Sequence, residues 1–168
     1  MTVSFEEAAA FHGHKCPGLA IGYRMSLAGL AALATTRAAD EELVAIVENN
    51  ACGVDAVQCL TGCTFGKGNL LFRDFGKQVY TFHARGSRRG VRVVFHGRGM
   101  PPEAATTREA RTAWILAAPA EAMLTVAPVM EAAPQTAGIR RSMPCSRCGE
   151  TVMETRLRLL AGTPVCIP

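Results

Sequence analysis

With 168 residues and 49% hydrophobic content, the chain can fold around a core, which excludes a disordered protein. Its net charge of +4 is scattered and its aromatic content is only 6%, which disfavours a dedicated nucleic-acid-binding protein. The longest apolar run, residues 19–34, is interrupted by Arg24 and two glycines, so it predicts a buried helix and no membrane span.

The chain contains seven cysteines but shows no secretion signal. Acidic residues stand near its N-terminus, where a signal peptide would carry positive charge, and no apolar segment precedes residue 12. We therefore expect a cytoplasmic protein. In that compartment, cysteines favour metal binding or thiol chemistry over structural disulfides.

Two helices are predicted at the start of the chain. Ser4 and Glu7 form a capping-box pattern, which indicates a short helix over residues 4–11. Pro17 suits the first position of a long helix that is apolar on almost every side and hence central. Gly22 and Gly29 within it indicate that another backbone packs closely, and a second copy of the chain is one candidate.

The next elements alternate between strands and helices. A β-branched run over residues 42–48 predicts a strand, and residues 53–61 predict a short helix that Gly62 closes. Two alternating runs, 78–85 and 91–96, predict a β-hairpin. Residues 106–118 have helical character.

The chain is expected to divide into a core domain, a linker and a small C-terminal module. Residues 1–118 predict an α+β domain, in which the central helix packs on a small antiparallel or mixed sheet. Residues 119–144 are rich in Ala and Pro and predict a linker, with a short helix or strand around residues 122–129. Residues 145–168 predict a zinc module of treble-clef or ribbon type.

The C-terminal module carries the most specific motif. Cys145, Cys148 and Cys166 match three ligands of a C-x2-C…C-x2-C zinc site. A fourth cysteine completing that pattern would fall just beyond Pro168. We expect a structural zinc ion here, since closed four-ligand sites hold small folds together.

A second metal site is predicted near the N-terminus. His12 and His14 alternate around a glycine, so their rings share one side if the segment is extended. Cys16 precedes the central helix, whose N-terminal dipole favours a thiolate. These three residues are expected to bind a transition metal or, through Cys16, to supply a nucleophile.

Further site residues are predicted around the third helix. Cys52 follows a strand and Cys63 follows a helix-closing glycine, so both occupy element ends. We take Cys52 as a metal ligand, and Cys63, Asp55 and Lys67 as catalytic candidates beside Cys16. Cys59 is expected to be a buried hydrophobe. His83 and His96 on the hairpin are expected at an ordinary sheet surface.

The chain resembles the FmdE family, named for a component of molybdenum or tungsten formylmethanofuran dehydrogenase. The resemblance rests on segments that span most of the chain in order: FHGHKCPGLAIGYR at 11–24, ACGVDAVQCLTGCTFGKGNL at 51–70, FRDFGKQVYTF at 72–82 and CSRCGE at 145–150, leading to VCIP.

The resemblance implies an α+β core, a C-terminal zinc finger and intertwined homodimers. It also implies that the core site is lined by matched motif positions, namely His12, His14, Cys16, Cys52, Asp55, Cys63 and Lys67. The chain departs from the family pattern where the finger closes, because it supplies only Cys166 there.

Three hypotheses of function follow. The first is a metal-binding protein that is accessory to a formylmethanofuran dehydrogenase-type metalloenzyme or senses metals. The second is a small enzyme that uses a metal or a cysteine at the His/Cys site. The third is a zinc-finger module that binds nucleic acid or protein.

Overall fold

The computed structural model describes residues 3–168, which form two compact units, one ending at Thr136 and one running from Ala137 to Pro168. The α-helices are α1 (Phe5–His12), α2 (Pro17–Leu33), α3 (Gly53–Thr61), α4 (Arg108–Ala117) and α5 (Ala120–Met123). The strands of the first unit are β1 (Leu43–Val47), β2 (Leu70–Phe72), β3 (Val79–Ala84), β4 (Arg89–Phe95) and β5 (Leu124–Val129). Those of the second unit are β6 (Ser142–Pro144), β7 (Thr151–Met153), β8 (Arg158–Leu160) and β9 (Thr163–Val165).

The first unit is built on a five-stranded mixed sheet with the order β2-β1-β3-β4-β5. Strand β2 runs parallel to β1, and the other neighbours are antiparallel. The predicted α+β class with a mixed sheet is confirmed. Strand β2 has only three residues and was not expected, because so short a run shows no alternation in sequence.

The predicted linker, residues 119–144, contributes a strand to this sheet. Its first part forms α5 and β5, and β5 pairs with β4 from Leu124 opposite Phe95 to Val129 opposite Gly90. Pro128 is tolerated there because β5 is an edge strand, whose outer side donates no ladder hydrogen bonds. Pro128, one of the prolines that indicated a linker, therefore lies in a sheet edge.

Helix α2 packs in the core, and two of its glycines contact other parts of the same chain. A Cβ on Gly29 would lie 2.3 Å from the Phe82 ring of β3. A Cβ on Gly22 would lie 2.1 Å from the carbonyl oxygen of Gly53 in α3. Both glycines thus allow close packing within one subunit, where a second copy had been one candidate.

The second unit consists of two small hairpins, β6–β7 and β8–β9. They are connected by the backbone hydrogen bond from Ser146 N to Pro164 O, 3.0 Å long. None of the helices formed by residues 3–168 has the length and apolar character needed to span a bilayer.

Candidate metal centres

Three of the predicted metal ligands meet where three helices begin or end. His12 is the last residue of α1, Cys16 caps the N-terminus of α2 and Cys52 occupies the N-cap position of α3. One donor atom from each lies within 4.8 Å of the others. We call His12, Cys16 and Cys52 the core triad. Its donors, one imidazole and two thiols, suit a borderline-soft transition metal.

Small residues bring the two cysteines of the core triad together. A Cβ on Gly18 would lie 3.2 Å from the Cβ of Cys52 and 3.9 Å from the Sγ of Cys16. Gly22 and Gly53 meet one turn further along α2, as described above. The backbones of α2 and α3 therefore approach closely enough for thiols on the two helices to bind the same metal ion.

His12 is held by an acidic partner. Its Nδ1 atom lies 2.7 Å from Oδ2 of Asp55, while its Nε2 atom lies 3.9 Å from the Sγ of Cys16. Gln58 in turn donates from Nε2 to Oδ1 of Asp55 at 3.3 Å. A carboxylate that accepts from one ring nitrogen leaves the other as the metal-facing lone pair, which is the usual support for a histidine ligand.

The two thiols differ in environment. Cys16 accepts a hydrogen bond from the backbone N–H of Leu19 at 3.3 Å, so the start of α2 stabilises negative charge on its sulfur. Burial raises the pKa of the Cys52 thiol, and its hydrogen bond with the Cys16 thiol adds to the increase. A metal cation would offset this cost, because binding replaces the thiol protons.

His14 lies beside the core triad without belonging to it. The side chain is exposed, and its ring centroid lies 4.5 Å from that of His12. Only three of the four ligands predicted in the first 60 residues therefore converge, and His14 stands next to them at the surface.

Cys63 and Lys67 lie at the far end of α3 from Cys52. The nine residues of α3 span about 13 Å. Cys63 is fully buried, and this burial raises the pKa of its thiol. The Nζ atom of Lys67 donates to the carbonyl oxygen of Asp40 at 3.2 Å. Of the four site residues predicted around α3, Cys52 thus belongs to the core triad and Asp55 contacts it, whereas Cys63 and Lys67 lie apart from it.

Gln58 and Tyr80 also lie near this site, although the sequence did not predict either as a site residue. Gln58 follows Asp55 by three residues on α3, a spacing that could have indicated their contact. Tyr80 comes from β3, and a Cβ on Gly53 would lie 2.6 Å from its hydroxyl. That hydroxyl is fully buried and has no hydrogen-bond partner among the described residues.

A second sulfur cluster lies in the C-terminal unit. Donor atoms of Cys145, Cys148 and Cys166 all lie within 4.8 Å of one another, and the Sγ atoms of Cys148 and Cys166 are 3.8 Å apart. We call these residues the finger cysteines. Three convergent thiols are a donor set that fits zinc.

Backbone hydrogen bonds prepare Cys145 to carry negative charge. The N–H groups of Cys148, Cys166 and Arg147 lower the pKa of the Cys145 thiol to about 6. Hydrogen bonding with Cys145 and, as a smaller contribution, burial raise the pKa of the Cys166 thiol to about 11. The cluster thus favours a thiolate at Cys145, a state that metal coordination requires.

Two family models match the chain, and together they cover both units. The model described as "FmdE, Molybdenum formylmethanofuran dehydrogenase operon" matches residues 11–133. The model described as "Prokaryotic dksA/traR C4-type zinc finger" matches residues 136–168. The finger cysteines fall within the second match.

Known proteins similar to the chain include one solved structure and one relative matched by sequence. A crystal structure of a tungsten formylmethanofuran dehydrogenase FmdE-like protein from Syntrophus aciditrophicus superposes with a TM-score of 0.75 at 26% identity, over 98% of this chain and 91% of that one. A probable S-adenosyl-L-methionine-binding protein of Archaeoglobus fulgidus is 43% identical over 90 residues, which cover 51% of this chain but only 25% of that protein. With the FmdE model matching residues 11–133, this chain belongs to the FmdE family.

Proposed function

We propose that the protein is a metal-binding accessory protein of a metalloenzyme, which holds an exchangeable transition-metal ion at the core triad and structural zinc at the finger cysteines. The observation that carries the proposal is the convergence of His12, Cys16 and Cys52 within 4.8 Å. Each ligand comes from a different helix terminus.

The environment of Cys52 favours metal binding over a free thiolate at this position. Burial raises the pKa of Cys52, which disfavours its thiolate when no cation is near. Asp55 holds Nδ1 of His12 and leaves Nε2 toward the sulfurs. Three protein ligands leave at least one position of a tetrahedral ion open, and His14 beside His12 is our candidate for it.

The open position also supports a second candidate function, a metal-dependent enzyme. Catalytic zinc sites commonly combine three protein ligands with one exchangeable position, where the metal activates a bound water. In that case Asp55, at 2.7 Å from His12, would orient the ligand, and the exposed His14 would exchange protons with solvent.

Metal content measured by mass spectrometry tests the two sites separately. Wild type is expected to hold two metal ions per chain, whereas Cys16→Ser and Cys145→Ser should each hold one. Cys59→Ser is the matched control, since this partly buried cysteine belongs to neither cluster and should leave the count unchanged. A Cys16→Ser variant that retains two ions would refute the core site.

The accessory role is supported by the names of the matching family and of the structural relative, both of which mention formylmethanofuran dehydrogenase. Transfer of metal from the loaded protein to an apo-metalloenzyme of that type would test it. Metal that reaches the apo-enzyme while a competing chelator is present has been transferred directly between the two proteins, and this result supports the role. Chelator capture of all the metal would contradict it.

We also infer that the protein forms a homodimer. Phe65 and Phe72 are exposed by 78% and 45% and line the same groove at the edge strand β2, and such apolar patches commonly mark interfaces. Light scattering should give a mass near twice 17.9 kDa, and Phe72→Ser should lower it. Met130→Ser, at an exposed residue elsewhere, is the control. A wild-type mass of 17.9 kDa would contradict the dimer.

A further inference from the structure

A cavity of about 240 Å³ lies on the face of the sheet that is turned away from the helices. Tyr80 and Phe82 of β3 enter the core, so Thr81 and His83 alternate onto this opposite face and line the cavity. The segment 129–134 supplies another wall, and the side chain of Arg85 donates to the carbonyl oxygen of Pro134. None of the core triad lines this space.

The cavity is lined by an imidazole, His83, that makes no hydrogen bond to another described residue. His83 is only 4% exposed, and no hydrogen bond found in residues 3–168 involves its ring. Gly90 stands opposite His83 on β4, and a Cβ there would lie 2.7 Å from Nδ1 of His83. Because Gly90 has no side chain, the imidazole ring of His83 can lie against β4 at the cavity. The fully buried side-chain atoms without a partner among residues 3–168 are Ser26 Oγ and the Tyr80 hydroxyl, so the ring nitrogens of His83 face the cavity, where water or a ligand can bond to them.

Charges of both signs surround the same space. Arg92 contacts Glu48 through a single 3.4 Å pair, and Glu48 is only 8% exposed. Arg73 and Glu131 are exposed and complete the charged lining. Two cationic and two anionic side chains line the space, and Arg85 lies behind its 129–134 wall, so a ligand that carries both a negative and a positive group finds partners for each.

We propose that this cavity binds a small zwitterion, an α-amino acid with an apolar side chain. The arginines bind its carboxylate, since guanidinium groups match carboxylate geometry. Glu131 binds its ammonium group, and the ring of His83 gains a hydrogen bond to one of the two charged ends.

The volume and the apolar lining fit a ligand of that class. At about 30 Å³ per water molecule, 240 Å³ is the space of about eight waters, which is room for one amino acid. Ile46, Val129 and Pro134 add apolar surface for its side chain. The proposal does not depend on the metal sites, because no residue of the core triad or of the finger cysteines lines the cavity.

Calorimetric titration of the full chain with L-leucine tests the proposal. Two analogues each lack one charge: isocaproate lacks the ammonium group, and isoamylamine lacks the carboxylate. L-leucine should bind with saturation, and each analogue should bind about tenfold or more weakly, because one charge-assisted contact is lost.

Two variants at exposed positions test the location without disturbing the core. Arg73→Gln and Glu131→Gln should each weaken L-leucine binding about tenfold. Arg98→Gln is the charge-matched control, because Arg98 is exposed and does not line the cavity. Thermal melting would verify that all three variants are folded.

Three outcomes would overturn the proposal. One is the lack of saturable heat with L-leucine for the folded wild type. Another is equal affinity for L-leucine and isocaproate, which would assign the cavity to simple carboxylates. The third is unchanged binding in both Arg73→Gln and Glu131→Gln.

Discussion

The Nδ1 atom of His12 lies 2.7 Å from the Oδ2 atom of Asp55, although 43 residues separate them in the chain. His12 is only 11% exposed at its side chain, whereas Asp55 is 38% exposed. The contact joins the end of α1 to the first turn of α3 and directs the remaining ring nitrogen toward Cys16. It is thus the link between the helix packing and the metal chemistry that we propose.

Replacing Asp55 with Asn should weaken metal binding at the core triad. The amide does not carry the negative charge that orients His12, and losses at such supporting positions are typically about 10- to 100-fold in affinity. Competition against a chromophoric chelator measures the change. Asp74→Asn, at an exposed position, should leave the affinity unchanged. Equal affinities for Asp55→Asn and wild type would show that Asp55 has no supporting role.

Replacing Gly53 with Ala should separate α2 from α3. The new Cβ would lie 2.6 Å from the Tyr80 hydroxyl and 2.9 Å from the carbonyl oxygen of Gly18, so neighbouring atoms must shift. Overpacking of this kind costs about 1–3 kcal/mol of unfolding free energy. Urea denaturation measures that loss, and metal content should fall with it.

Gly66→Ala is the matched control for that substitution, because a Cβ there meets no atom within 4 Å. Its unfolding free energy and its metal content should stay close to wild type. If Gly53→Ala behaves like Gly66→Ala, the close approach of the two helices does not set the geometry of the triad.

Stability should fall as the pH is lowered through the range in which His83 would titrate. Burial lowers the pKa of His83 from its ordinary value of 6.5. Below pH 6.5 the unfolded chain therefore binds a proton that the folded chain resists, and the unfolding free energy decreases until the lower, folded-state pKa is reached. Above that window the contribution is fully retained.

Thermal melting at about pH 7.5 and about pH 5, on either side of that ordinary histidine pKa, measures this effect. His83→Gln should show a smaller loss between the two pH values than wild type. His96→Gln, on the partly exposed end of the hairpin, should behave like wild type. Identical pH dependence in wild type and His83→Gln would exclude His83 as the source.

Removing metal from the finger cysteines should unfold the C-terminal unit. Within residues 137–168, Cys145 alone is fully buried. Leu159 and Ile167 are 78% and 59% exposed. So small a core cannot offset the chain entropy, and metal binding must supply the folding free energy. Hydrogen exchange after chelation should show loss of protection in β6 to β9.

Protection in β1, β3 and β4 should persist in that experiment, because these strands belong to a sheet with its own hydrophobic core. Cys148→Ser should reproduce the effect of the chelator. Retained protection of β6 to β9 in the metal-free protein would show that the hairpins fold without metal.

Local signals in the chain were enough to predict several elements and the types of ligand. The capping pattern of Ser4 and Glu7 starts α1, and Pro17 after Cys16 starts α2, because both signals act through adjacent backbone atoms. The spacing of Cys145 and Cys148 likewise indicated the finger cluster, since residues three apart can bind one ion from a single turn.

Which of these residues meet is a consequence of tertiary packing. The contact of Gly22 with Gly53 brings Cys52 to Cys16, whereas Cys63 and Lys67 remain at the other end of α3. His83, which was expected at a sheet surface, is buried because β5 and the segment after it extend beside β4. Such pairings depend on how distant segments pack, and no local pattern of residues specifies that packing.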